Sequence, residues 1–219
     1  MPDINNAVEF DRNMQSLINA KLINSDFTHR DWGLDDLQII RSHVRSHYRE
    51  EQQGKCSYCR APVSLRSAAN CHVEHIVPKS KYLPFIFEVK NLCVACADCN
   101  EIKREQETLG VEPDPLVNGE TRVQYPRSSG AFKIVHPHFD IYDEHIQIFN
   151  GYYVDSSPKG IFTIGACKLN RRLHEFGWEE NTINEDDIAE MMNEYLECSD
   201  SINKNLILQK LKRTLVIVS

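Results

Sequence analysis

Five of the eight cysteines in this chain crowd into two short clusters, Cys56-Ser57-Tyr58-Cys59 and Cys93-Val94-Ala95-Cys96-Ala97-Asp98-Cys99. Thiolates two residues apart can grip one face of a tetrahedral dication such as Zn2+, and a second such pair completes the coordination. The fold therefore has to return the chain on itself, because 36 residues lie between Cys59 and Cys96. The second cluster offers two registers, Cys93/Cys96 and Cys96/Cys99, and spacing does not choose between them. Either gives a closed site of four sulfurs with no open coordination position, which stabilises a fold without catalysing anything. Cys71, Cys167 and Cys198 stand apart and read as small buried hydrophobes.

The metal reading depends on a reducing compartment, where clustered thiols are more often ligands than disulfides. The start of the chain, Met1-Pro2-Asp3-Ile4-Asn5-Asn6, lacks the basic and apolar regions of a secretory signal, so a cytoplasmic location is expected. No apolar run approaches the roughly 20 residues of a membrane span, so no membrane partner is expected. With 219 residues the chain suits one or two domains. Its net charge of -7 weighs against a broad phosphate-binding surface, but the charge is uneven. Only residues 55–105 carry more basic than acidic side chains, 8 against 5. If the chain meets nucleic acid, that segment is where the field permits it.

Residues 4–23 place Ile4, Val8, Leu17, Ile18 and Leu22 in a loose helical pattern. Residues 34–53 are clearer: Asp35 and Asp36 suit a helix N-terminus, and Leu37, Ile40, Val44 and Tyr48 make one apolar stripe that ends near Gly54. His43 and His47, four apart on that helix, fit a solvated face better than a metal site. Downstream, Asn150-Gly151 between His145–Phe149 and Tyr152–Val154 signals a β-hairpin. Ala131–Val135 and Gly160–Ile164 read as further β-prone runs, and Lys168–Phe176, Asp186–Cys198 and Ser201–Val216 as helical.

Between the thiol clusters lies His72-Val73-Glu74-His75-Ile76-Val77-Pro78, and Asn91-Leu92 and Asn100 follow. A carboxylate oxygen suits a hard ion such as Mg2+, an imidazole takes a proton near neutral pH, and an amide oxygen adds a neutral ligand. Strand alternation puts His72 and Glu74 on one face and His75 on the other, unless the strand stops at His75, as Pro78 suggests.

Taken together, Cys56-x2-Cys59, His72-Val-Glu-His75-Ile-Val-Pro78, Asn91-Leu92 and Cys96-x2-Cys99-Asn100-x2-Lys103 resemble the zinc-bearing HNH endonucleases, whose core is a ββα-metal fold. More narrowly they resemble the HNH proteins of Septu-like and retron-associated anti-phage systems, which are paired with ABC-type ATPases. The resemblance covers residues 56–103. It implies a structural Zn2+ on Cys56, Cys59, Cys96 and Cys99. It also implies His75 as general base, Glu74 and Asn100 as ligands of a catalytic Mg2+ or Mn2+, with His72 as a further candidate ligand, and Asn91 as the residue that braces the loop and orients the base. Lys103 and Arg104 would contact phosphates. Most HNH enzymes have Asp where this chain has Glu74, which leaves the preferred ion open.

The expected fold class is α+β: a zinc-stabilised ββα-metal core embedded between N- and C-terminal helices, with a β-hairpin elaboration. The expected divisions are residues 1–54 helical, 55–110 the nuclease core, and 111–219 the hairpin and C-terminal helices, packed on the core as one unit. The expected activity is metal-dependent phosphodiester hydrolysis, with DNA ahead of RNA as substrate. Two alternatives stand beside it: a non-catalytic zinc module that binds nucleic acid or protein, and an RNA (tRNA) nuclease active only in complex. His136-Pro-His138-Phe-Asp140 suits a hydrogen-bonded turn better than a second metal site.

Overall fold

The computed structural model describes residues 1–108, 114–119, 122–149, 151–177 and 185–218, leaving aside the side chains of residues 104–108, 185–189, 201–202 and 212–218. The side chain of Arg104 and all of Asn150 fall outside the described residues. Mixed helices and two small sheets make the chain α+β. It divides into two compact units, one of residues 1–147 and 154–169, the other of residues 148–153 and 170–219.

In the first unit the chain begins extended. Residues 3–10 bury Ile4 and Val8 without forming a helix, because their backbone groups bond outward. The Ile4 amide donates to the Pro137 carbonyl, the Val8 amide to the Tyr48 hydroxyl, and the Asn5 and Asn6 amides to Glu51. The expected helix over 4–23 is therefore shorter: α1 spans Arg12–Ile23, opened by Asp11, whose carboxylate accepts from the Met14 amide at 2.8 Å. After a turn of 3-10 helix at Asp35–Leu37, α2 runs Gln38–Glu51 and buries Ile40, Val44 and Tyr48 as one stripe. Each such side chain contributes about 1.5–3 kcal/mol. His43 and His47 hold the extended segment, each Nε2 bonding a carbonyl, that of Glu9 at 2.8 Å and that of Asn6 at 2.9 Å. A carbonyl only accepts, so both nitrogens donate.

Strand β1, His72–His75, pairs antiparallel with β2, Leu92–Ala95, in the register His72 to Ala95 and His75 to Leu92. Helix α3, Ala97–Thr108, follows, completing the ββα order. Gln52, buried just beyond α2, stitches this sheet to the helix: its amide nitrogen donates to the Lys55 and Val94 carbonyls and its oxygen accepts from the Val94 amide. β3 (Ile146–Phe149) and β4 (Tyr152–Asp155) form the expected hairpin, with Gly151 at φ +80°. Gly160–Ile164 is not a strand. It lies in α4, Pro158–Ala166, because the Ser157 hydroxyl caps the Gly160 amide and Pro158 sits in the first turn. The run at Ala131–Val135 forms only an isolated bridge, Leu116 to Phe132.

The second unit carries α5 (Arg171–Phe176), α6 (Glu185–Glu197) and α7 (Ser201–Val218). Asn170 is bonded both ways to the backbone of Tyr153. Among the described residues no helix is long and apolar enough to cross a membrane.

Candidate nuclease centre beside a four-cysteine site

The turn after α2 and the N-terminus of α3 bring four sulfurs together. Ligand atoms of Cys56, Cys59, Cys96 and Cys99 all lie within 4.8 Å of one another, and the Cys59 and Cys96 sulfurs are 3.6 Å apart. A tetrahedral Zn2+ with sulfurs at about 2.3 Å needs them roughly 3.8 Å apart, so the donor set fits. The register is Cys96/Cys99. Cys93 sits on β2 opposite Glu74, where burial pushes its thiol up to about 12. The turn closes through Arg60 in left-handed conformation (φ 61°), whose amide bonds the Cys56 carbonyl. The Arg60 guanidinium then pairs with Asp3 at 2.5 Å and lies 4.0 Å over the Tyr142 ring.

Against this site opens a cavity of about 300 Å³ lined by His72, Glu74, His75 and Asn100 together with Trp32, Arg41, Arg45 and Lys79. Three of the histidine–carboxylate residues share it despite strand alternation because β1 ends at His75. The His75 ring is buried, stands edge-on to Trp32 at 4.7 Å, and places Nε2 3.0 Å from the Ile86 carbonyl. Nε2 therefore carries the hydrogen, and Nδ1 keeps the lone pair. Burial, reinforced by Lys79, holds the imidazole well below the usual histidine range despite the opposing effect of the Ile86 carbonyl. A neutral imidazole of fixed orientation results.

The carbonyl that pins His75 is itself held. Asn91, fully buried, accepts from the Val77 amide at 2.7 Å and donates to the Val77 and Phe85 carbonyls at 3.1 and 3.0 Å. The loop between β1 and β2 is thus tied one residue before Ile86. His72 is fixed similarly: Nε2 donates to the Ala69 carbonyl, and Nδ1 lies 3.0 Å from the Asn100 amide.

Lys103 differs from the phosphate contact expected of it. Its ammonium lies 2.6 Å from Glu74 Oε1 and donates to the His75 carbonyl at 2.9 Å, with side-chain exposures of 7% for Lys103 and 8% for Glu74. The spacing Asn100-x2-Lys103 turns the lysine inward on the same face of α3 that meets β1. Tyr58, between the first two cysteines, also reaches Glu74, its hydroxyl 3.3 Å from Oε1.

The His136-Pro-His138-Phe-Asp140 segment is a hydrogen-bonded turn. The His136 ring bonds the Tyr125 hydroxyl, the His136 amide bonds Asp140, and Asp140 pairs with Lys159 at 2.7 Å. His138 Nε2 donates to the Leu92 carbonyl, which ties this turn to β2. Among the described residues only the four cysteines form a metal-type cluster of three or more histidine, cysteine or carboxylate ligands.

Sequence reasoning missed Trp32, Arg41, Arg45, Tyr58 and Lys79. Tyr58 and Lys79 lie beside the motifs, but only the fold shows that Lys79 lines the cavity and that the Tyr58 hydroxyl reaches Glu74. Arg41 and Arg45 carried a signal, one helical turn apart on α2, but nothing tied that helix to the site.

Residues 56–106 match the family model described as HNH endonuclease. Over 157 residues the chain is 25% identical to the Septu protein PtuB of Bacillus thuringiensis, an alignment covering 72% of this chain and 52% of that protein. The chain thus spans about half the length of the curated relative it matches.

Proposed function

We propose that this protein is a metal-dependent endonuclease that hydrolyses phosphodiester bonds in nucleic acid, DNA ahead of RNA. The observation that carries the reading is His75: a buried, tautomer-fixed imidazole on the wall of a cavity shared with Glu74 and Asn100, inside the segment that matches the HNH family. His75 Nδ1 takes a proton from the attacking water as it approaches phosphorus. Asn91, through the loop that carries Ile86, holds the ring in that orientation. Asn100, Glu74 and His72 are the residues that would hold a Mg2+ or Mn2+. In the structure His72 Nδ1 accepts from the Asn100 amide nitrogen at 3.0 Å, so both side chains would have to exchange that hydrogen bond for the ion, Asn100 presenting its amide oxygen. Glu74 would have to share its carboxylate with Lys103. When bound, the ion neutralises charge on the scissile phosphate and the departing oxygen. Cys56, Cys59, Cys96 and Cys99 hold Zn2+ as a structural ion.

The likeness to a Septu protein PtuB supports a role in anti-phage defence; that the protein acts in the cytoplasm with an ABC-type ATPase as partner is our inference from the motif resemblance. The chain's net charge of -7 favours a partner that delivers the substrate. The test is incubation of purified protein, alone and with such an ATPase, with plasmid, single-stranded DNA and tRNA, under Mg2+, Mn2+ or EDTA. Cleavage should require a divalent ion and fall by about 10²–10⁴-fold in His75→Ala. Undiminished cleavage by His75→Ala would remove the assigned base.

A further inference from the structure

Helix α2 carries three arginines in one row, Arg41, Arg45 and Arg49, each four residues from the next. Positions at this spacing stack on one face of a helix, about 6 Å apart along its axis. All three side chains are half-buried, and all are held by backbone carbonyls. Arg41 donates to those of Trp32 and Leu34, Arg45 Nε to that of Cys71 at 2.7 Å, and Arg49 to that of Leu65 at 2.8 Å. The one side-chain partner in the row is the neutral Gln38 amide on Arg41. Among the described residues none of the three pairs with a carboxylate.

Three cations in a row repel one another. Burial lowers the Arg45 pKa against an opposing effect of Cys71, and Arg49 and Arg41 add smaller lowering effects. Carbonyls fix the guanidinium planes but supply no countercharge. An arrangement that holds guanidinium groups in place while leaving their charge unmatched is built for an anion supplied from outside, and arginine forks suit phosphate oxygens. Its position says which anion. Arg41 and Arg45 line the cavity that holds His75 and Asn100, and Arg49 extends the row beyond the cavity. The acid in that wall, Glu74, is already matched by Lys103.

We propose that Arg41, Arg45 and Arg49 form the track that binds the phosphodiester backbone of the substrate strand and leads it to His75. The inference rests on the nuclease reading above. It places the phosphate contacts outside the matched segment 56–106 and on a helix N-terminal to it. A row of about 6 Å steps suits successive phosphates of one strand. The track therefore reads backbone charge and not sequence.

The test uses full-length, zinc-loaded protein carrying His75→Ala, so that binding is measured without cleavage. Anisotropy of short fluorescein-labelled single-stranded DNA and RNA oligonucleotides is followed against salt. Arg45→Gln and Arg49→Gln should each weaken binding several-fold at low salt and reduce the slope of log affinity against log salt by about one. Lys133→Gln, an exposed cation outside the row, should leave the slope unchanged. Zinc content and melting temperature confirm that each variant is folded, and Arg49→Gln keeps the test valid should Arg45→Gln unfold. Unchanged slopes in the arginine variants, an equal loss in Lys133→Gln, or no binding up to roughly 10⁻⁴ M would overturn the track. Cleavage by the wild-type protein with arginine-independent binding sinks the track and spares the nuclease. Arginine-dependent binding without divalent-dependent cleavage does the reverse.

Discussion

Replacing Lys103 by Met separates the buried ion pair from the surface contact that its place in the motif suggests. The ammonium and Glu74 Oε1 are 2.6 Å apart with both side chains almost wholly enclosed. Removing one partner of such a pair typically destabilises by about 3–5 kcal/mol, because the remaining charge stays buried without its counterion. The lost hydrogen bond to the His75 carbonyl adds about 1 kcal/mol. Lys103→Met should therefore lose about 4–6 kcal/mol, or roughly 10–20 °C in melting temperature for a chain of this size. Glu74→Gln should also be destabilised, because it leaves the ammonium uncompensated. The double variant Glu74→Gln/Lys103→Met removes both charges and should return to within about 2 kcal/mol of wild type, a large favourable coupling. Urea unfolding of the four proteins with zinc present, followed by far-UV circular dichroism, completes the cycle. A phosphate ligand predicts the opposite for Lys103→Met: an unmoved unfolding midpoint and a salt slope of nucleic-acid binding smaller by about one. That pattern, or additive losses in the double variant, would refute the buried pair.

Stripping zinc should unfold the first unit, since a structural zinc supplies apparent binding energy on the order of 10 kcal/mol. Cys99→Ser should leave less than one bound zinc per chain by metal analysis, and a full complement would show that the four sulfurs do not share an ion. Burial pushes the His138 imidazole down to about 4. Between that value and the ordinary 6.5 the unfolded chain binds more protons, so the His138 contribution to stability should fall as pH drops through this window, by about 1.5 kcal/mol between pH 6.5 and 5. His138→Gln, measured by urea unfolding at both pH values, should lose less than wild type over that interval, and an identical loss would sink the assignment. Gly160→Ala should be destabilised by more than about 1 kcal/mol, because the added Cβ would lie 2.0 Å from the His145 carbonyl oxygen; an unchanged melting temperature would contradict that contact.

What the sequence disclosed and what it hid divide along physical lines. The cysteine pairs were legible because metal geometry dictates spacing, and α2 was legible because Leu37, Ile40, Val44 and Tyr48 recur at helical period. The hairpin was legible from its turn chemistry. Ile4 and Val8 imitated a helical period, yet their segment is held by His43, His47, Tyr48 and Glu51, partners about 34 to 46 positions away that no local pattern announces. Gly160–Ile164 was misread because β-prone side chains outweighed a Ser-Pro start signal. Lys103 was misplaced because a lysine after a metal motif suggests a phosphate, whereas its direction on α3 depends on how that helix meets β1. The arginine row was in plain view as a pattern, and only the cavity gave it meaning.

Tyr58 belongs to two chemistries at once. Its backbone lies in the knuckle between Cys56 and Cys59, while its hydroxyl reaches Glu74. A strong chelator that dismantles the sulfur cage would therefore also disturb an acid facing the cavity, and on the proposed nuclease reading turnover would vanish for two reasons together. On the proposed nuclease reading, graded chelation should separate them: loss of a weakly held catalytic ion would be reversed by adding magnesium back, whereas activity lost after the knuckle opens should return only with zinc and refolding.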